Sequence, residues 1–172
     1  MARQPAPSTP DISVVVPVFD EEGAAPALAR EIAQAFKGRN YEMIFVDDAS
    51  RDGTRAALKA LSAEIPQLRV LAHTRNSGQS RALRSGILGA RGAIIVTLDG
   101  DGQNDPADGP ALVDALVAGP PELALVGGER PPWTRRAVQA TTSPCLAVLR
   151  KLVLISMVVK LVAPSGRLAM QA

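Results

Sequence analysis

The chain is poor in several residue types that define whole classes of protein. Among its 172 residues there is one cysteine, Cys145, and one histidine, His73. A lone cysteine cannot form an internal disulfide, which fits a reducing compartment, and zinc sites normally combine several cysteines and histidines. The sequence therefore predicts neither a disulfide framework nor a zinc site. We expect His73 to be packed or hydrogen-bonded rather than catalytic.

Net charge and long apolar runs are also scarce. The formal net charge is +2, from 19 basic and 17 acidic residues, which is too small an excess to predict nucleic-acid binding. No apolar run reaches the roughly 18 residues of a membrane-spanning helix. Met1 to Pro10 is polar and proline-rich, unlike a signal peptide. We expect a cytoplasmic protein that touches the inner face of a membrane only peripherally.

Apolar residues are abundant, at 47% of the chain, and 172 residues suffice for one domain with a sizeable core. Strand-like runs alternate with segments of helical periodicity. This alternation predicts an α/β fold, with a doubly wound, mainly parallel sheet and helices on both faces. The predicted strands are 12–18, 41–46, 68–73, 93–98 and 123–126, and the intervening helices begin near residues 24, 54, 76 and 108.

The apolar spacing also predicts the buried faces of the helices. In the third helix, Leu83 and Ile87 should be buried beside Ala82 and Gly86, whose small size permits close packing on the sheet. Asp108 is expected to cap the fourth helix, which would run through Ala111, Leu112, Leu116 and Val117.

The fourth predicted strand runs directly into Asp99-Gly100-Asp101-Gly102-Gln103. Side chains at i and i+2 of an extended segment point the same way, so Asp99 and Asp101 are expected to face one cleft. Paired carboxylates repel each other unless a cation lies between them, and Mg²⁺ or Mn²⁺ favours such oxygen ligands together with substrate phosphates. Gly100 and Gly102 leave room for an anion near the backbone. This pattern favours a metal–diphosphate site over the alternative, an acidic surface turn.

A second pair of acids, Asp47 and Asp48, follows the second predicted strand. Neighbouring strand residues point to opposite faces, so one of the two should enter the cleft. We favour Asp48 as a ligand of a nucleobase or ribose and Asp47 as structural. The alternative is a turn that only leads into a helix.

Basic residues gather at the start of the third helix, where Arg75, Arg81 and Arg84 flank a segment rich in Gly and Ser. Free backbone N–H groups and positive charge at such a place suit a phosphate. The alternative is a solvated basic helix face. Arg130, just after the fifth strand, has the same two interpretations.

Five segments, in order and on the expected elements, resemble the family 2 glycosyltransferases of the GT-A fold. The resemblance is strongest to the dolichol-phosphate mannosyltransferase-like, or polyprenyl-phosphate glycosyltransferase, enzymes. The segments are V-V-V-P-V-F-D-E-E, V-D-D-A-S-R-D-G-T, N-S-G-Q-S-R-A-L-R-S-G, A-R-G-A-I-I-V-T-L-D-G-D-G-Q-N-D-P and a late G-x-R. The resemblance implies a metal-dependent enzyme of cell-envelope glycan synthesis, with Mg²⁺ or Mn²⁺ as cofactor. Its donor would be a nucleotide-sugar of the GDP-mannose or UDP-glucose type, and its acceptor a polyprenyl or dolichyl phosphate.

The resemblance also implies roles for individual residues. Asp101 and Arg130 are the candidate catalytic residues, and Arg130 matches a donor-phosphate contact. Phe19 stands where a Tyr is usual, which keeps stacking but loses a hydroxyl. The candidate donor-binding residues are Pro17, Phe19, Glu21, Val46, Asp48, Asp99, Gly100 and Arg81, and the candidate metal ligands are Asp99, Asp101 and Gln103.

The resemblance ends after Arg130, where no D-T-G-C-type acceptor stretch follows. We assign residues 1–10 to a flexible tail, 11–130 to the nucleotide-sugar-binding core and 131–172 to an atypical, truncated or divergent segment. Within it, the apolar run 152–159 favours a buried strand or helix over contact with a membrane surface. Two alternatives to a working transferase stay open: a phosphatase with Asp99 as nucleophile, and a fragment that binds the donor with little transfer.

Overall fold

The computed structural model describes residues 9–102, 104–120, 125–129, 137–141 and 156–160, the last three ranges as backbone only. The strands are β1 (Ile12–Val18), β2 (Tyr41–Asp47), β3 (Leu68–Ala72), β4 (Ile94–Leu98), β5 (Leu125–Glu129), β6 (Ala137–Thr141) and β7 (Ser156–Lys160). The helices are α1 (Ala25–Ala35), α2 (Thr54–Leu61), α3 (Gln79–Gly89) and α4 (Asp108–Ala118).

All seven strands belong to one sheet in the order β3-β2-β1-β4-β7-β5-β6. The strands β1 to β4 pair in parallel, and β7 lies antiparallel between β4 and β5. Five strands therefore point one way, with β6 and β7 reversed, which confirms the mainly parallel α/β sheet. The run 152–159, predicted as a buried strand or helix, overlaps β7, whereas β6 was not predicted.

The helices cover both faces of the sheet, as predicted. One face carries α1, α2 and α4 over a large apolar core that includes Phe36 and Phe45. The other face carries α3, which packs on Ile44 and Val46 through Ala82. In α3 the fully buried residues are Ala82 and Gly86, whereas Leu83 and Ile87 are only half-buried. Leu83 and Ile87 are thus less buried than predicted, because α3 lies too close to the sheet for larger side chains to fit between the helix and the sheet.

The start of α4 also differs from the prediction. Asp108 is the first helical residue rather than the cap. The preceding turn is held by Asp105, whose side chain accepts from the Ala107 N–H at 2.9 Å. On α4, Leu112, Val113 and Leu116 are buried against the sheet, whereas Val117 is exposed.

A buried ionic group holds the sheet at the end opposite the loops that follow β1 and β4. Glu42 accepts hydrogen bonds from Ser13 Oγ (2.8 Å), Arg69 Nη1 (2.6 Å) and the Arg91 N–H (2.7 Å). Burial alone would raise the pKa of Glu42, but these donors hold it below its ordinary value. In the described part of the chain, no helix has the length and apolar character needed to cross a bilayer.

Candidate functional site: a cleft at the ends of β1 and β4

The carboxyl ends of β1 and β4 enclose a cleft of about 410 Å³. The chain turns from β1 toward β2 on one side, and β4 lies on the other, so the cleft marks the point where strand order reverses. Ligands of open α/β sheets bind at such points. The lining residues are Pro17, Val18, Phe19, Glu21, Asp48, Asn76, Gly78, Gln79, Ala82, Asp99, Gly100 and Asp101.

Asp99 and Asp101 line this cleft together, as their spacing predicted. Asp99 is half-buried, and its Oδ1 accepts a hydrogen bond of 2.8 Å from Gln79 Nε2 at the start of α3. Burial, with the nearby charge of Asp101, raises the pKa of Asp99 above its ordinary value. Ionising this carboxylate is therefore less favourable in the protein than in water, and a cation between the two acids would favour the ionised form.

Asn104 places a buried side-chain amide beside Asp99 that the sequence did not lead us to expect. Its Nδ2 donates a long 3.5 Å bond to Asp99 Oδ2, and its side chain is buried. Its Oδ1 is buried too and has no hydrogen-bond donor among the described residues. An amide oxygen and two carboxylates are the hard ligands that Mg²⁺ and Mn²⁺ take, so the residues present fit a divalent ion. The described residues contain no cluster of three acidic, His or Cys ligands.

Gly100 joins the two strand ends by close contact. A Cβ built on it would lie 2.5 Å from the Pro17 carbonyl oxygen and 2.6 Å from Val18 Cγ1. Only glycine fits here without displacing the end of β1. Gly102 has φ +72°, in the region that favours glycine, and its missing Cβ faces open space. Gly102 therefore leaves open space beside the backbone, whereas Gly100, which also lines the cleft, is required by packing.

The loop after β1 brings Phe19 to the cleft and is fixed to the loop after β2. Asp20 Oδ1 accepts from the Arg51 N–H (2.7 Å), and the Asp20 N–H donates to Ser50 Oγ (3.0 Å). The Arg51 guanidinium lies 5.8 Å from the centre of the Phe19 ring, within range of a cation–π contact. Asp20 has φ +55°, so the loop holds a sparsely populated backbone conformation beside the site.

Of the two acids at the end of β2, one has a structural role and the other lines the cleft, as predicted. Asp47 is buried, and it accepts from the Ser50 N–H (3.0 Å) and Arg55 Nε (2.6 Å), which makes it structural. Asp48 lines the cleft. Its oxygens accept from the Ser77 and Gly78 N–H groups and from His73 Nδ1 at 2.6 Å. Despite burial, these bonds lower the pKa of Asp48, so it stays charged.

Several predicted site residues lie elsewhere. Val46 is buried under α3 and is absent from the residues that line the cleft. Arg81 lines a neighbouring pocket instead. The prediction of free N–H groups for a phosphate was wrong for Ser77 and Gly78, because Asp48 takes both. Gln103 and Arg130 lie outside the described residues, and their roles stay predictions.

The fold and this cleft define a protein of the GT-A glycosyltransferase type. Residues 13–151 match Glycosyl transferase family 2, and the chain belongs to that family. The resemblance inferred from the sequence motifs is therefore confirmed, and the phosphatase alternative loses its support.

Curated relatives include polyprenyl-phosphate sugar transferases. The chain is 42% identical over 123 residues to dodecaprenyl-phosphate galacturonate synthase of Rhizobium johnstonii, covering 70% of this chain and 36% of that protein. It is 39% identical over 111 residues to undecaprenyl-phosphate 4-deoxy-4-formamido-L-arabinose transferase of Aeromonas hydrophila subsp. hydrophila, covering 63% and 34%. The chain thus spans about a third of the length of these relatives.

Solved structures with the same fold include complexes with nucleotides and Mn²⁺. The mannosyltransferase PcManGT from Pyrobaculum calidifontis, in complex with GDP-Man and Mn²⁺, has a TM-score of 0.57 at 26% identity, covering 74% of this chain and 38% of that one. Glucosyl-3-phosphoglycerate synthase from Mycobacterium tuberculosis, with Mn²⁺, UDP and glucosyl-3-phosphoglycerate, has a TM-score of 0.56 at 25% identity, covering 69% and 43%.

Proposed function

We propose that this chain binds a nucleotide-sugar in the cleft between β1 and β4 and transfers the sugar to a polyprenyl phosphate or a related lipid phosphate. The observation that carries the proposal is the pair Asp99 and Asp101, which lines one cleft with Phe19 in a family 2 chain. The acceptor follows the dodecaprenyl- and undecaprenyl-phosphate in the names of the relatives.

The metal proposal rests on charge. Departure of the sugar leaves negative charge on the donor's β-phosphate, and a bound Mg²⁺ or Mn²⁺ would neutralise it. Asp99, Asp101 and Asn104 are the described residues that would hold the ion, with Gln103 as the further ligand predicted from the motif. Arg130 is the predicted contact to the same phosphates.

The nucleoside end of the donor would contact Phe19 and Asp48. The Phe19 ring has Arg51 against it and also lines the cleft, so it offers a surface on which a nucleobase can stack. Asp48 is held charged by its donors and stays our candidate for the ribose or base. The contacts of Phe19 and Asp48 with the nucleoside would determine whether the donor is of the GDP-mannose or UDP-glucose type.

The acceptor needs little activation from the protein. A lipid phosphate is already ionised at neutral pH, so it can attack the anomeric carbon without a general base, unlike a hydroxyl. Such an acceptor lies in a membrane, which makes peripheral contact with the inner membrane face part of the proposal.

The experiment is to incubate the full chain with labelled GDP-mannose or UDP-glucose, Mg²⁺ and a short polyprenyl phosphate, and to measure labelled lipid. Wild type and Asp105→Asn, which changes an acid outside the cleft, should form product. Asp101→Asn should lose at least about 100-fold in turnover, because its charge acts where charge develops in the transition state. Normal turnover of Asp101→Asn at saturating metal would refute the assignment.

A chain that binds the donor with little transfer is the second candidate. It is favoured by the missing D-T-G-C-type stretch after Arg130. Donor binding without labelled lipid, in the same experiment, would select it.

A further inference from the structure

Three arginines from two elements line a second pocket, of about 640 Å³, beside the donor cleft. Arg75 lies in the loop after β3, and Arg81 and Arg84 stand three residues apart on α3. The remaining lining residues are neutral or hydroxyl-bearing, together with His73, and no carboxylate is among them: Ala72, His73, Thr74, Ser77 and Ser85. We call this cavity the arginine pocket.

The guanidinium groups of the arginine pocket lack a counter-charge. No side-chain hydrogen bond or ion pair joins any of the three guanidinium groups to a residue that the structure describes, and all three arginines are exposed. Some other arginines do have a carboxylate partner, as Arg39 has Asp114 and Arg69 has Glu42. Like charges gathered on one pocket repel one another, so an anion bound among them would be stabilised by all three.

The backbone amides at the start of α3 do not explain this pocket. The Ser77 and Gly78 N–H groups both donate to Asp48, on the donor-cleft side. Recognition in the arginine pocket would therefore depend on guanidinium side chains, whose planar fork matches the oxygens of a phosphate. Ser85 Oγ, at 2.9 Å from His73 Nε2, supplies a hydroxyl at the pocket wall.

We propose that the arginine pocket binds a phosphate group that is distinct from the diphosphate of the donor. The proposal does not depend on the proposed function, since it concerns different residues and needs no metal. A phosphate on a soluble compound and a phosphate in a phospholipid headgroup share this chemistry, and both can reach an open pocket with exposed arginines.

The test is calorimetric titration of the full chain with pyrophosphate at low salt and in excess chelator, which removes any metal-dependent binding in the donor cleft. Wild type should bind about one equivalent. Arg81→Gln and Arg84→Gln should each weaken binding at least about fivefold, through loss of a charge-assisted hydrogen bond. Arg30→Gln, which removes the same charge from an exposed site on α1, should change affinity less than twofold.

The source of the phosphate is separated by sedimenting the same variants with phosphatidylcholine vesicles that do or do not contain phosphatidic acid. Pyrophosphate binding alone assigns the pocket to a soluble phosphate, and arginine-dependent binding to the anionic vesicles assigns it to a headgroup. If neither ligand binds, or if Arg30→Gln weakens binding as much as Arg84→Gln, the proposal is overturned. Arg84→Lys keeps the charge and should restore part of the affinity, which excludes a folding defect as the cause.

Discussion

Oδ1 of Asp48 lies 2.6 Å from Nδ1 of His73. The bond joins the residue after β2 to the residue after β3, and the other ring nitrogen of His73 lies 2.9 Å from Ser85 Oγ on α3. Because a carboxylate only accepts, Nδ1 must carry the proton. One imidazole therefore joins two strand ends and a helix in the wall between the donor cleft, which Asp48 lines, and the arginine pocket, which His73 and Ser85 line.

Replacing His73 by Phe should loosen this wall. Asp48 would remain buried with one donor fewer, so the pKa of Asp48 should rise and the free energy of unfolding should fall by about 1–3 kcal/mol. Ser85→Ala removes only the outer partner and should cost about 1 kcal/mol or less. Urea denaturation at pH 7 measures both. Equal losses for the two variants would contradict the account, since the buried carboxylate would then not be the group at stake.

Replacing Asp101 by Asn should stabilise the metal-free protein at neutral pH. Burial and the charge of Asp101 raise the pKa of Asp99 in the folded state, so folding stability falls as pH rises from the ordinary pKa of an aspartate through the raised one. The variant should gain about 1–3 °C in Tm at pH 7 in chelator. At about pH 3, where Asp99 is protonated, the gain should vanish.

Bound metal should reverse this difference in stability between wild type and Asp101→Asn. With Mg²⁺ or Mn²⁺ and a nucleoside diphosphate, wild type should gain more in Tm than Asp101→Asn, because ligand binding stabilises only the protein that binds it. An Asp101→Asn protein that is less stable than wild type in chelator would show that Asp99 and Asp101 do not repel each other.

Gly100→Ala should separate the ends of β1 and β4. The added Cβ would overlap the Pro17 carbonyl oxygen and Val18, at a cost of about 1–3 kcal/mol, and nucleotide affinity should fall with it. Gly23→Ala is the matched control, since a Cβ there meets nothing within 4 Å. Urea denaturation and nucleotide titration test both variants; a Gly100→Ala protein that behaves like Gly23→Ala would show that the contact is not needed.

Glu42 should contribute much of the acid sensitivity of the fold. Its pKa is lowered in the folded state, because the hydrogen bonds to Arg69, Ser13 and the Arg91 N–H outweigh the effect of burial. The stability it adds is present above its ordinary pKa of about 4.3 and is lost as pH falls through the lowered value. Glu42→Gln should cost about 1–3 kcal/mol at pH 7 and less at pH 3. Glu31→Gln, at an exposed position on α1, should show no such dependence.

The sequence predicted those parts of the fold and site that depend on local patterns. The strand before Asp99 is a short apolar run, and the i, i+2 spacing to Asp101 places both acids on one cleft. The division between Asp47 and Asp48 follows from strand alternation in the same way. Each of these inferences needs only residues that are neighbours in the chain.

Contacts between distant segments could not be predicted in this way. His73 and Asp48 are 25 residues apart and meet only because β2 and β3 pair. The position of β7 beside β4 joins residues about 60 positions apart, and periodicity carries no information on such pairing. Asn104 was missed because its amide differs from any surface Asn until its burial is known.

The central claim is that the cleft at Asp99 and Asp101 is a metal-dependent nucleotide site. Calorimetric titration of the wild-type chain with GDP and with UDP tests it directly, in Mg²⁺, in Mn²⁺ and in excess chelator, with Asp101→Asn alongside. We predict micromolar to millimolar binding of one of the nucleotides with metal, and at least about tenfold weaker binding in chelator and in the variant. Equal affinity of the wild-type chain with metal and in excess chelator would contradict the claim.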